Sequence, residues 1–189
     1  MLRETIKKHP ASWRLQPNLS EYENCCAGFC RDEVQRVLDG LPDGPGLNIA
    51  REALDRHGQT PTGKRLAIRW PGCGGQFLDF TYNDLKRLGN RFANVLWTLG
   101  SGKGDTVFTL AGRIPELYAT ALGTLKNTSV FGPLFSADGP EPVYQRLSKG
   151  DARVLVTTES IAPLFSKLTI THTCAHLPLS GDSQERGLA

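Results

Sequence analysis

Residues 100–104, Gly-Ser-Gly-Lys-Gly, have the residue types of a loop that holds a phosphate group. A Walker loop requires a glycine five residues before its Gly-Lys pair and Ser or Thr directly after the lysine. Trp97 and Gly104 occupy those positions here, and the segment precedes a predicted strand instead of following one. We therefore interpret these residues as a helix cap followed by a turn.

Two histidines and a cysteine near the carboxyl end have a spacing that could suit metal ligands. His172, Cys174 and His176 alternate, so an extended chain would point all three to one side. The segment lacks a fourth ligand of the kind that structural zinc sites use. We interpret the three as incidental residues, and the sequence predicts no metal site.

The five cysteines are an odd number and include no pair of C-x-x-C units with zinc-finger spacing. This usage favours reduced thiols and a cytoplasmic location, because disulfides persist in oxidising compartments. Cys25, Cys26 and Cys30 lie close together in sequence, but nothing adjacent marks them as reactive. We expect them to be small buried hydrophobic residues.

Ser136 and His57 have the side chains of a nucleophile and a base. The nucleophile elbow of α/β-hydrolases has the pattern G-x-S-x-G, which does not surround Ser136. The sequence assigns no neighbour to His57. We interpret both as structural residues.

With 189 residues, of which 39% are hydrophobic and 22% charged, the chain can bury a core of ordinary size. Its net charge of +3 comes from dispersed basic residues, which does not favour nucleic-acid binding. No apolar run approaches the ~20 residues of a membrane span, and the first ten residues lack the apolar region of a secretory signal. We expect a soluble cytoplasmic protein with neither nucleic-acid nor membrane partners.

A long amphipathic helix is predicted from Thr81 to Leu99. Thr81 and Asp84 form a capping box, in which each side chain can accept a hydrogen bond from the backbone of the other residue. Apolar residues then recur at helical spacing as far as Leu99, and Gly100 suits a left-handed cap. The helix should present one apolar stripe to a core.

Strands and helices alternate after this helix. Strands are predicted at 106–110, 129–131 and 153–157, and helices at 114–127 and 140–149. The first of these helices should direct Leu117, Ala121, Leu122 and Leu125 inward. Strands joined through helices run parallel with right-handed crossovers. The predicted fold class is α/β, a small parallel sheet with flanking helices, preceded by a helical lead-in and a β-hairpin.

The chain divides into four predicted segments. Residues 1–16 form a flexible arm, and 17–79 contain the helical lead-in and the hairpin. The lead-in includes a predicted helix at 32–38, with Val34, Val37 and Leu38 facing inward. Residues 80–158 form the parallel α/β core, and 159–189 form a divergent tail that we expect to be disordered.

Several stretches, in order and in register, resemble the opening of an AMP-forming acetyl-CoA synthetase of the acyl-adenylate-forming superfamily. The likeness extends over about residues 45–158. It is carried by LNIA at 47–50, LDRH at 54–57, FTYNDL at 80–85, RFANVL at 91–96, KGD at 103–105, IPEL at 114–117, GPLFSA at 132–137 and DARVLVTT at 151–158.

The resemblance implies a coenzyme A contact at Gly132, Pro133, Phe135 and Ser136, near the carboxyl end of the second predicted strand. In the complete family enzyme ATP and Mg²⁺ activate acetate, and coenzyme A then accepts the acyl group. The family's ATP-binding loop, its adenine-reading stretch and its catalytic lysine have no counterpart here. The resemblance therefore implies the amino-terminal portion of such a ligase, without cofactors of its own and inactive alone.

The sequence departs from the family pattern in three places. Asn127-Thr128-Ser129 replaces the usual Gly-Ala before the second strand, Asp138 stands where the family favours an aromatic residue, and the paired arginines that follow the third strand are absent. A second hypothesis is a non-catalytic α/β interaction module derived from the same domain. In either case we expect one face and one edge of the sheet to be bare and open to a protein partner.

Overall fold

The structure, a computed structural model, describes residues 9, 14–15, 21–42, 46–72 and 74–165, and the backbone of 173–175. Two compact units divide the chain, Met1–Leu38 and Asp39–Ala189. Most of the predicted arm at 1–16 and most of the predicted tail at 159–189 lie outside the described residues. Within the described part, no helix is long and apolar enough to cross a membrane.

The first unit contains two short helices, α1 (Tyr22–Ala27) and α2 (Arg31–Arg36), and neither has a buried residue. The predicted helix at 32–38 exists, but its expected inward face does not, because Val34 is 45% and Val37 65% exposed. The expectation that Cys25, Cys26 and Cys30 are buried is also wrong, since all three are exposed. Helices of six residues are too short to define a core of their own.

The second unit opens with α3 (Ile49–Ala53) and two 3₁₀ turns, Asp55–His57 and Pro61–Lys64. Asn48 caps α3, because its side-chain oxygen accepts a hydrogen bond from the Arg51 amide at 3.2 Å. Its side-chain nitrogen donates to the Leu125 carbonyl at 2.8 Å. One residue thus caps one helix and attaches it to the end of another.

The predicted hairpin is confirmed as strands β1 (Leu66–Pro71) and β2 (Phe77–Thr81), which pair antiparallel. It leads directly into α4 (Tyr82–Thr98), whose capping box is present as predicted. The Asp84 amide donates to Thr81 Oγ1 at 3.2 Å, and the Thr81 amide donates to Asp84 Oδ2 at 3.0 Å. The hydrogen bond from the Thr81 hydroxyl is the largest reason why the pKa of Asp84 lies below its usual value.

The core alternates strands and helices as predicted: β3 (Thr106–Leu110), α5 (Pro115–Lys126), β4 (Val130–Leu134), α6 (Pro140–Lys149) and β5 (Ala152–Thr157). A 3₁₀ turn at Ala162–Phe165 and a short strand β6 (Thr173–Ala175) follow. The sheet order is β4-β3-β5-β6, and every neighbouring pair is parallel. The predicted α/β fold class is confirmed, and β6 adds a strand that the sequence did not indicate.

Helices cover both faces of the sheet, so the expected bare face is wrong. On one face, Phe92 and Leu96 of α4 pack against Val107, Val154 and Val156. The other face is covered by α6; its buried cluster consists of Leu110, Val143, Leu147, Leu155 and Phe165. The outer edges of β4 and β6 lack a strand neighbour within the described part of the chain.

The buried face of α5 differs from the predicted one. Leu117, Ala121, Leu122 and Leu125 were expected inside, but the fully buried positions are Pro115, Ala119, Thr120, Gly123 and Thr124. Small residues lie there because α4 approaches closely: a methyl group on Gly123 would stand 2.8 Å from the Gly89 carbonyl oxygen. The helices therefore touch along their smallest side chains, and the leucines of α5 lie at the margins.

Candidate functional site

The order of the strands determines where a crevice opens at the edge of the sheet. The chain moves outward from β3 to β4 and then crosses back over β3 to reach β5. Because parallel crossovers are right-handed, this reversal places the connecting helices on opposite faces of the sheet. The carboxyl ends of β3 and β5 therefore separate into a crevice, which is where ligands of open α/β sheets bind. We call it the switch-point crevice.

The switch-point crevice is a cavity of about 510 Å³ that lies between these strand ends, the start of α5 and the hairpin. Its walls are largely apolar and include Trp70, Leu78, Ile114, Leu117 and Val156. The Trp70 indole donates a hydrogen bond to the Arg113 carbonyl at 2.9 Å. That bond holds the hairpin against the loop between β3 and α5.

Thr109, Thr120 and Thr157 are among the residues that line the crevice. Because Thr109 pairs with Val156, the side chains of Thr109 and Thr157 project from opposite faces of the sheet. Thr109 at the end of β3 is 1% exposed, and Thr157 at the end of β5 is 3% exposed. Neither hydroxyl has a hydrogen-bond partner. Thr120 also lines the crevice, but its hydroxyl donates to the Glu116 carbonyl at 2.8 Å.

The charge of the crevice is negative. Among the described residues that line it, Glu116 and Glu159 are the charged ones, and none is Lys, Arg or His. Glu116 lies in the first turn of α5, which no side chain caps. Its carboxylate is therefore stabilised by the positive end of the helix dipole. An anionic ligand would therefore meet two carboxylates and no cation.

The residues predicted to contact coenzyme A lie elsewhere, at the edge strand β4. This strand continues through Gly132 and Pro133 to Leu134, whereas the sequence indicated an end at Phe131. Proline is tolerated because β4 is an edge strand. The Phe108 ring also contacts Gly132, where a methyl group would stand 2.6 Å from its Cδ1 atom. Gly132 therefore makes room for the ring of the neighbouring strand.

Phe135 and Ser136 follow β4 directly and face outward. The Phe135 ring is 68% exposed, and Ser136 is exposed as well. The Phe135 carbonyl accepts a hydrogen bond from the Asp138 amide at 3.0 Å, and Asp138 pairs with Arg146 of α6 at 2.9 Å. The four predicted residues thus form one continuous segment, with an exposed ring and a guanidinium group held nearby.

Residues 100–104 form the cap and turn that the sequence indicated. Gly100 has a φ of +71° and follows α4, and the Ser101 amide donates to the Leu96 carbonyl at 2.9 Å. The Gly102 amide bonds to Asp105, and the Gly104 amide bonds to the Thr128 carbonyl. These backbone amides already donate hydrogen bonds within the protein. They lie near the amino end of β3, whereas the crevice lies at the carboxyl end of that strand.

The other candidate residues do not assemble into a site. The His57 ring lies edge-on to Tyr82, with centroids 5.6 Å apart, which agrees with a structural role. The described residues contain no group of three or more His, Cys, Asp or Glu side chains that could hold a metal ion. His172 and His176 lie outside the described residues, as does the side chain of Cys174.

Sequence reasoning missed the switch-point crevice. The signal was present in the hydroxyl residues Thr157, Thr158 and Ser160, which follow directly on a buried strand. It could not be used, because the strand order that places β5 beside β3 is not encoded locally in either strand.

Comparison with known proteins places the chain in a family. The AMP-binding enzyme family model matches residues 54–186. The acetyl-coenzyme A synthetase of Bacillus subtilis is 32% identical over 171 residues, which are 90% of this chain and 29% of that protein. The 3-hydroxypropionyl-coenzyme A synthetase of Metallosphaera sedula is 30% identical over 117 residues, 62% of this chain and 18% of that protein.

A solved structure agrees with these matches. The acyl-CoA synthetase of Brucella canis has a TM-score of 0.74 and 29% identity, over 88% of this chain and 30% of that one. The chain spans less than a third of the length of these relatives. It belongs to the AMP-binding enzyme family and is similar to the amino-terminal region of its acetyl-coenzyme A synthetases.

Proposed function

We propose that the chain supplies the amino-terminal portion of an AMP-forming acetate–CoA ligase, in which it provides scaffold and one wall of the coenzyme A site. The main support is the 32% identity with the Bacillus subtilis acetyl-coenzyme A synthetase over 90% of this chain. The proposed wall consists of Gly132, Pro133, Phe135 and Ser136. In the complete enzyme, acetate and ATP would form an acyl adenylate that coenzyme A then attacks.

The segment after β4 suits part of coenzyme A. An exposed aromatic ring such as that of Phe135 can stack against an adenine base or lie along an apolar pantetheine arm. Arg146 is held nearby through Asp138, and a guanidinium group is well suited to phosphate. Gly132 also shapes the strand through its contact with Phe108.

The described residues do not suit ATP or Mg²⁺. They offer no cluster of carboxylates for the metal, and the glycine amides at 102 and 104 are already bonded within the protein. We therefore assign no step of adenylate formation to this chain.

Isothermal titration with coenzyme A tests the proposed wall. We expect weak but measurable binding, and the Phe135→Ala variant should bind about tenfold more weakly through loss of ring contact. Phe77→Ala is a matched control, because Phe77 is 62% exposed on the hairpin and should leave binding unchanged. Binding that both variants leave intact would contradict the assignment. No binding by the wild-type chain, together with a stable co-purifying protein, would favour an interaction module instead.

A pyrophosphate-exchange assay tests whether this chain can form the acyl adenylate by itself. The purified chain should show no acetate-dependent exchange, because stabilisation of the charge developing on the α-phosphate requires donors aimed at it. A full-length synthetase serves as the positive control. Exchange above background, abolished by a substitution between Leu110 and Ser136, would show a catalytic site within this chain.

The proposed location is the cytoplasm, and a protein that covers the outer edge of β4 is the proposed partner. The odd number of cysteines, without paired C-x-x-C units, supports a reducing compartment.

A further inference from the structure

Alternate residues of β4 direct their backbone groups toward β3 and toward the outer edge of the sheet. The Val130 amide donates to the Asp105 carbonyl at 2.8 Å, so the backbone of Val130 faces β3. The two strands stay in register along the whole of β4. Because the bonding direction alternates along a strand, Gly132 also bonds to β3, whereas Phe131 and Pro133 direct their backbone groups outward.

Pro133 removes a hydrogen-bond donor from this outer edge. A proline has no N–H group, and its ring occupies the space where an amide hydrogen would meet an added strand. Pro133 is exposed, at the point where a neighbouring strand would pair. A strand that added to this edge would therefore leave one of its own carbonyl groups without a partner.

The other usual protections of a sheet edge are lacking in β4. Natural edges are protected by charged side chains, by bulges or by proline. Residues 127–137 contain no Asp, Glu, Lys or Arg, and β4 pairs with β3 without a shift of register. The strand, VFGPL, is otherwise apolar or glycine, and an uncharged apolar stretch without proline is typical of segments that form intermolecular strands. The protection of this edge therefore rests on Pro133.

We propose that Pro133 blocks strand addition at the outer edge of β4, and so prevents a second copy of this chain from pairing with it there. A protein that covers this edge then has to bind through side chains, of which the exposed Val130 and Phe135 are apolar. The block does not depend on the coenzyme A contact proposed for Pro133, because it concerns the missing N–H group and is measured without coenzyme A.

Pro133→Ala restores the amide and tests the block. Sedimentation velocity over a range of protein concentrations should show at least about tenfold stronger self-association than for wild type, because a backbone hydrogen bond is gained and the ring is removed. Pro142→Ala is the matched control, since Pro142 is exposed in the first turn of α6, away from any sheet edge. Equal self-association of wild type and Pro133→Ala, or an equal increase in Pro142→Ala, would overturn the proposal.

A lysine on the same strand locates the contact. Val130 is 51% exposed, and a lysine on an edge strand opposes the pairing of two like strands. Val130→Lys added to Pro133→Ala should return self-association to the wild-type level. Tyr144→Lys, at a residue of α6 that is 50% exposed, should leave the self-association of Pro133→Ala unchanged. Self-association that persists with Val130→Lys, or that Tyr144→Lys abolishes equally, would overturn the assignment to β4.

Hydrogen exchange of the unmodified chain tests the backbone orientation even if Pro133→Ala does not fold. The Gly132 amide faces β3 and should be protected, whereas the Phe131 amide faces outward and should exchange at least about tenfold faster. Two-dimensional NMR spectra recorded at low protein concentration after transfer to D₂O resolve the two amides. Equal protection, or slower exchange of the Phe131 amide, would contradict the orientation on which the block depends.

Discussion

One face of the sheet packs against α4 and α5, and the other packs against α6 and the turn at Ala162–Phe165. The first face is covered by a helix that precedes the sheet in sequence and by the first crossover. The second is covered by the return crossover, which must pass over β3 to reach β5. A short α/β chain can therefore cover both faces of its sheet when the winding direction reverses, and the same reversal opens the switch-point crevice.

The largest effect on the free energy of unfolding is expected from Phe92, a fully buried ring of α4 on the first face. Phe92→Ala should lower the free energy of unfolding by about 3–5 kcal/mol, because it removes a large ring and leaves a cavity. Trp97→Ala on the same helix is the control, since Trp97 is 78% exposed and should have little effect. Urea midpoints that hardly differ between the two variants would show that this core is wrongly assigned.

The second face is tested through Gly132. A methyl group there would stand 2.6 Å from Phe108 Cδ1, and the ring is confined on its other side by Gly150. Gly132→Ala should therefore lower the free energy of unfolding by about 1–3 kcal/mol through overpacking. Gly102→Ala, which meets open space, should not destabilise the chain. If both variants are equally stable by urea denaturation, the ring does not lie against β4 as described.

The start of α4 is expected to contribute less. Thr81→Ala should lower the free energy of unfolding by about 1 kcal/mol at pH 7, as loss of a helix cap usually does. Since the pKa of Asp84 is lowered in the folded state, its stabilising effect is present above its unfolded pKa and is lost as pH falls through the folded value.

The difference between wild type and Thr81→Ala should therefore shrink in acid, as measured by thermal unfolding between pH 7 and pH 2. Thr98→Ala, near the other end of the helix, should show no such pH dependence. A difference that stays constant with pH would argue against a charged partner in the capping box.

The smallest expected effect has the opposite sign. Thr128 has a φ of +62°, the left-handed conformation that a β-branched residue adopts at a cost. Thr128→Gly should raise the free energy of unfolding by about 0.5–1 kcal/mol, since relief of this strain exceeds the added flexibility of glycine. A lower denaturation midpoint in Thr128→Gly would show that the turn before β4 depends on the threonine side chain.

The elements that the sequence predicted best carry their own local signals. The helix at 82–98 follows from the capping box at Thr81 and from apolar spacing that continues to Leu99. The buried face of α5 was missed because Thr120 and Thr124 are polar by type but small enough for close helix contact. The full length of β4 was missed because Gly132 and Pro133 usually interrupt strands, although an edge position permits both.

The candidate sites differ in the same way. Residues 132–136 were found through their likeness to a family, which is a property of contiguous sequence. The switch-point crevice depends on strand order, and its lining residues Thr109 and Thr157 are 48 positions apart in the numbering. No local pattern joins two such positions, so only the fold could bring them together.

Coenzyme A is proposed to bind at the end of β4 and not in the switch-point crevice. Titration of the ¹⁵N-labelled chain with coenzyme A, followed by amide chemical shifts, tests it most directly. The amides of Gly132 and of residues 134–137 should shift together, while those of Ala111 and Thr158 at the crevice should stay unchanged. Shifts confined to the crevice, or no saturable shifts at all, would contradict it.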